Sequence, residues 1–199
     1  HPQRAAPLFR PSRMIRVAII DCGAGNLHSV RKALASQLPA GATLDVVTDA
    51  AALDAATHIV LPGVGAFADC MKGFNALAGM RAALERAVFE QKKPFLGICV
   101  GMQMLFKHGH EHGSHEGFGW FAGEVRMLEP SDVTLRIPHM GWNRLRLLQK
   151  DHPSLRGIHD GDFVYFVHSY AASGVPADDV AAQVDYGGEI VAMVARDNI

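Results

Sequence analysis

Residues 94–106, Pro-Phe-Leu-Gly-Ile-Cys-Val-Gly-Met-Gln-Met-Leu-Phe, constrain the fold of this chain more than any other segment. The apolar run from Pro94 to Ile98 predicts a short buried strand, and Met102, Leu105 and Phe106 continue in a helical pattern. Cys99 stands at the junction, between Gly97 and Gly101. This G-x-C-x-G arrangement is the thiol counterpart of the G-x-S-x-G nucleophile elbow, a sharp strand-to-helix turn. Such a turn needs small residues where neighbouring backbone passes close. A cysteine there points its sulfur out of the sheet, at a helix N-terminus whose unpaired N–H groups favour thiolate. Cys99 is therefore the candidate nucleophile; the alternative is a packed structural thiol, since free Cys behaves as a small hydrophobe.

The rest of the chain supplies a scaffold of the kind that elbow requires. Arg16–Ile20, Leu44–Val47 and His58–Leu61 read as strands. A helix through Val30, Leu34 and Leu38 separates the first two, and a helical stretch over 66–90, with Gly73 and Gly79 as breaks, follows the third. Strand–helix alternation predicts an α/β fold, with a mostly parallel central sheet and helices on both faces. After Glu116 the pattern changes to short strands: 124–128, 133–137, 143–148, 163–168, 180–185 and 190–195. These predict a smaller antiparallel sheet extension in the C-terminal half.

Composition narrows the function classes. Hydrophobic residues make up 49% and charged residues 20%, with net charge −1, so neither a nucleic acid nor an anionic membrane is an expected partner. No apolar run approaches a membrane span. Three widely spaced cysteines do not form a disulfide framework, and the expected compartment is the cytoplasm. Residues 1–13 (HPQRAAPLFRPSR) lack periodicity and are read as an extension, with the domain beginning at Met14.

Three further segments carry residues suited to chemistry. Asp21-Cys-Gly-Ala-Gly25 follows a strand, but His28 stands where a dinucleotide fingerprint needs its third glycine, and no cofactor is expected. Pro62-Gly-Val-Gly65 lies at the carboxyl end of a parallel strand, where open α/β sheets place their sites. Backbone at Val64 and Gly65 could aim an N–H at a developing oxyanion, paired with the N–H of Val100; a plain strand-to-helix turn is the alternative. The run 107–116 carries His108, His110, His112 and His115, but its spacing and glycines predict a solvated loop and no metal site. Cys22 and Cys70 read as packed thiols.

Taken in order, these motifs resemble the class I (triad) glutamine amidotransferases, and among them the glutaminase subunits of imidazole glycerol phosphate synthase. The resemblance runs from Met14 to Ile199. It rests on Asp21-Cys-Gly-Ala-Gly-Asn26, Leu61-Pro-Gly-Val-Gly65 and Gly97-Ile-Cys-Val-Gly-Met-Gln103, then Gly117-Phe-Gly-Trp, Pro138-His-Met-Gly-Trp-Asn143 and Tyr165-Phe-Val-His-Ser-Tyr170. It implies hydrolysis of glutamine to glutamate and ammonia through a Cys99 thioester. The ammonia would pass to a (β/α)8-barrel cyclase partner making imidazole glycerol phosphate in histidine biosynthesis. Gln103, Ser169 and Tyr170 would bind the substrate, and Asn26, Met140, Trp142 and His168 would face the cyclase.

The family's catalytic His and Glu lie on a His-Pro-Glu motif after the strand end Ala195-Arg-Asp-Asn-Ile199, and these 199 residues do not include it. The domain over 14–199 is thus expected to be truncated before its base, and this polypeptide to be inactive by itself. Two other readings stay open: a non-catalytic cyclase-docking module, and a class I glutaminase serving another synthase.

Overall fold

A computed structural model describes residues 14–199, so the expected extension at 1–13 lies outside the described residues. In chain order the first half runs β1 (Arg16–Ile20), α1 (Leu27–Ala35), β2 (Thr43–Val47), α2 (Ala52–Ala55), β3 (His58–Gly63), α3 (Phe67–Asn75), α4 (Met80–Glu85), β4 (Phe95–Cys99) and α5 (Val100–Gln103). The strands form one parallel sheet in the order β2-β1-β3-β4. β1 and β3 lie inside it and are buried over nearly their whole length. Their unbroken apolar sequences fit strands covered on both faces.

Each face has its own apolar layer. Ala18, Ile20, Ile59 and Leu61 point into the main core with Leu53, Phe67, Phe74 and Leu84 from the helices α2–α4. Val17, Ile19 and Val60 point the other way, under Leu27, Val30 and Leu34 of α1. Phe67, Phe74, Phe106 and Phe121 are fully buried, and each such side chain contributes about 1.5–3 kcal/mol on transfer from water. The expected parallel sheet with helices on both faces is what forms.

The second half contains β5 (His108–Gly109), β6 (His115–Glu116), β7 (Glu124–Met127), β8 (His139–Arg144), β9 (Arg146–Leu147), β10 (Phe163–His168), β11 (Tyr170–Ser173), β12 (Val180–Asp185) and β13 (Glu189–Val194). They make three small sheets, β10-β8, β11-β7-β5-β6 and β13-β12-β9. All of their pairings are antiparallel except β5 with β7.

Several local expectations differ from the structure. The helical stretch over 66–90 breaks only at Gly79, which takes a left-handed φ of +69°, whereas Gly73 sits inside α3 beneath the Cys22 carbonyl. Its last turn, Arg86–Glu90, is a π-turn. Residues 133–137 are not a strand. Asp132 accepts hydrogen bonds from the backbone N–H and hydroxyl of Thr134, and this local pairing competes with a sheet ladder. Most of the 138–143 motif lies in strand β8, paired with β10 from Arg144↔Phe163 to His139↔His168. The predicted strand 143–148 splits at Leu145, where the chain leaves β10 and pairs with β12. The histidine-rich run 107–116, expected as an open loop, folds into the β5–β6 hairpin. There His110 hydrogen-bonds Glu124, and Glu111 accepts from the Phe67 N–H at the start of α3. Among the described residues, no helix is long and apolar enough to cross a membrane.

Candidate active site

The elbow forms as its sequence demands. Cys99 has φ 56° and ψ −118°, a conformation that L-residues rarely adopt. Strain of this kind persists where the surroundings fix it, characteristically at functional sites. What fixes it is contact between α5 and the adjoining strands. A Cβ on Gly101 would lie 1.8 Å from the Leu61 carbonyl oxygen, and one on Gly97 would lie 2.8 Å from that of Gly101. Only glycine lets the helix start so close to β3 and β4.

The Cys99 thiol is exposed, whereas Cys22 and Cys70 are buried. Desolvation by the surrounding walls nevertheless pushes its pKa up, and a hydrogen bond from the Val100 N–H opposes that shift without overcoming it. This runs against the expectation that the helix N-terminus favours thiolate: α5 is a single turn, and desolvation is the larger influence on the thiol. The Cys70 thiol, deeper in the core, is pushed up to about 12, chiefly by burial, and both buried cysteines are packed thiols as expected.

β3 pairs with β4 through Gly63↔Cys99, which sets the Val64–Gly65 segment beside the elbow. The Val64 carbonyl accepts from the buried Cys70 thiol at 3.4 Å. Across a trans peptide the Gly65 N–H then points the opposite way, out of the core. Gly65 itself has a left-handed φ of +90°.

Cys99 opens into a cavity of about 480 Å³, within the range of small-molecule sites. Its walls come from β4, from the β10–β11 corner at Tyr165–Tyr170, and from Val191–Val194 of β13. Gln103, His168 and Tyr170 line it with Cys99; Ser169, Asn26, Met140 and Trp142 do not. The Tyr170 carbonyl accepts from Gln103 Nε2 at 3.2 Å and from His168 Nδ1 at 2.9 Å. His168 therefore turns inward, while Phe163, Tyr165 and Val167 are the exposed residues of β10, the last two also bordering the cavity. Ser169 uses its carbonyl to accept from the Leu128 N–H. Asn26 caps α1 by accepting from the Ser29 N–H.

Sequence reasoning gave no individual role to His139, which is 3% exposed and directly bonded to His168 at 2.8 Å. The alternation of β10 was the available signal, because it places Phe166 and His168 on one face and Tyr165 and Val167 on the other.

Residues 18–199 match the family model described as glutamine amidotransferase class-I. The chain is 48% identical over 191 residues to the imidazole glycerol phosphate synthase subunit HisH of Brucella melitensis biotype 1, covering 93% of this chain and 88% of the relative. It is 46% identical over 190 residues to the subunit of the same name from Rhodospirillum rubrum, with the same coverage. Among solved structures, one described as a glutamine amidotransferase aligns with a TM-score of 0.63 at 15% identity, over 84% of this chain and 79% of that one, a likeness of fold alone.

Proposed function

The chain belongs to the class I glutamine amidotransferases, among the glutaminase subunits of imidazole glycerol phosphate synthase, and on that premise we propose that Cys99 is its nucleophile. The activity is hydrolysis of glutamine to glutamate and ammonia, with the ammonia delivered for imidazole glycerol phosphate formation in histidine biosynthesis. The observation that carries the site assignment is the strained, exposed Cys99 on a glycine-locked elbow at the mouth of the cavity.

In this reading the Cys99 thiolate attacks the side-chain amide carbon of glutamine, and the amide C=O becomes an oxyanion. The Val100 N–H and a backbone N–H of the Val64–Gly65 segment stabilise it, as preorganised donors do in acyl transfer. Collapse forms the thioester and releases ammonia, which needs a proton; water then cleaves the thioester to glutamate and the free thiol. Gln103 and the corner at Tyr170 hold the substrate. The partner is a (β/α)8-barrel cyclase, docked on the face that carries Asn26, Met140 and Trp142, and the compartment is the cytoplasm.

Proton transfer needs a base within reach of Cys99. Among the described residues no histidine hydrogen-bonds Cys99, and His168 has both ring nitrogens engaged elsewhere. The base is assigned to the His-Pro-Glu segment that the family resemblance places after Ile199.

A glutamine-analogue electrophile tests the nucleophile. It is expected to label Cys99 well ahead of Cys22 and Cys70, by mass spectrometry of the intact fold. Because burial raises the Cys99 pKa, the thiolate fraction and the labelling rate are expected to keep climbing with pH through the ordinary thiol range. Equal labelling of all three cysteines would remove Cys99 from its role.

A further inference from the structure

One buried titratable side chain, hydrogen-bonded to a cavity-lining histidine, is not used by the proposed chemistry. His139, on β8, is stacked between Phe166 at 4.8 Å and Tyr186 at 3.9 Å between ring centres. Every polar atom of the ring has a partner. Nδ1 lies 2.8 Å from His168 Nε2, and Nε2 lies 3.3 Å from Asn143 Nδ2.

The directions of these hydrogen bonds follow from one end of the chain. The Tyr170 carbonyl can only accept, so His168 Nδ1 carries a proton and donates to it. In a neutral ring His168 Nε2 is then an acceptor, so His139 Nδ1 must be the donor to it. That leaves His139 Nε2 as an acceptor, and the group facing it is the Asn143 NH₂. The orientation of Asn143 is fixed independently: its Nδ2 donates to the Asp185 carbonyl at 2.8 Å and its Oδ1 accepts from the Arg144 N–H at 2.8 Å. Both ends therefore demand the same pair of tautomers, each ring protonated on Nδ1. Burial pushes both histidines below their ordinary pKa, which keeps the rings neutral as this pattern needs.

The consequence lies in the cavity wall. The chain leaves β10 at His168 and enters β11 at Tyr170, and His168 bonds across that corner to the carbonyl that also receives Gln103 Nε2. We propose that His139 is a positioning residue of the substrate cavity: its Nδ1–H sets the His168 tautomer, and His168 in turn holds the Tyr170 carbonyl where it orients Gln103. The inference rests on reading the cavity as the glutamine site. Without the Nδ1–H, the His168 ring has no donor for its Nε2, and its hold on the corner loosens.

The test uses the 199-residue chain, a glutamine-analogue chloroketone that alkylates Cys99, and iodoacetamide as a thiol reagent with no amino-acid end. In His139→Phe, which keeps a stacking ring but no donor, the chloroketone concentration for half-maximal labelling rate is expected to rise about tenfold. The limiting rate and the iodoacetamide rate are expected to stay within about twofold. His139→Asn returns an N–H near the Nδ1 position and is expected to recover most of the binding. Histidine ¹⁵N NMR of the unsubstituted chain is expected to show the Nδ1–H tautomer at both rings.

An Nε2–H tautomer at either ring would overturn the proposal even if His139→Phe fails to fold. Unchanged half-maximal concentration in a folded His139→Phe would overturn it too, as would His139→Asn binding as weakly as His139→Phe. A wild-type Cys99 that shows no preference for the chloroketone over iodoacetamide would instead overturn the glutamine-site reading, and the tautomers would still decide the relay.

Discussion

At the scale of single residues the site depends on what is missing from two side chains. Gly97 and Gly101 let α5 begin against the backbone of β3 and β4, and this packing holds Cys99 at φ 56°. The obstruction at Gly101 is a carbonyl oxygen of a central strand, not the movable end of a side chain. Gly101→Ala must therefore separate α5 from β3, and overpacking against fixed backbone costs about 3 kcal/mol or more. Urea denaturation followed by circular dichroism is expected to show that loss, with Cys99 labelling falling towards that of the other thiols. A variant as stable as the parent would mean that the elbow tolerates a looser seat. Cys99 shows a balance that the motif does not express: desolvation pushes its pKa up, and the single Val100 N–H opposes that shift without overcoming it.

Elements are held together where the chain crosses between sheets. Arg196, just after β13, donates to both carboxylate oxygens of Asp179, at 2.9 and 2.5 Å, and to the Trp120 carbonyl at 3.1 Å. Its guanidinium also lies over the Phe121 ring. Asp179 is buried, but the arginine side chain is 44% exposed, so the pair is partly screened. Arg196→Ala is expected to cost about 1–2 kcal/mol, less than a fully buried pair, read as a lower thermal midpoint at unchanged cooperativity. No change in midpoint would show that solvent replaces the arginine without loss.

The elements legible in the sequence were those whose apolar pattern is local, namely the four parallel strands and the elbow. Those that misled were decided by partners distant in sequence. β8 contains Gly141 and a polar end yet is a strand, because β10 offers it a complete ladder. Residues 133–137 look like a strand and are not, because Asp132 captures the backbone first. The candidate site divides the same way. Cys99, Gln103 and Tyr170 were expected at the site and do line one cavity, and His168, expected at the cyclase face, lines it with them. His139 stayed without a role because its partner lies 29 residues away and only the β8–β10 register brings them together.

For the whole molecule, the β8–β10 ribbon has two unlike faces. One turns His139, Phe166 and His168 inward; the other exposes Met140 at 61%, Trp142 at 70%, Tyr165 at 55% and Val167 at 59%. Tyr165 is paired in register with Trp142, their rings meeting edge to face at 5.6 Å, and Val167 is paired with Met140. A contiguous apolar patch of this kind marks an interaction surface, and Trp and Tyr are the residues most enriched among binding hot spots. At 70% exposure Trp142 is not a cap on the domain's own core. Under the proposed function this patch meets the cyclase. Trp142→Ala is therefore expected to weaken cyclase binding by about 2 kcal/mol or more. The fold should be little affected, because an exposed side chain contributes little to the core. Calorimetric titration against the cyclase measures the first quantity, and thermal denaturation by circular dichroism the second. A folded variant that binds as tightly as the parent would move the docking surface off this ribbon.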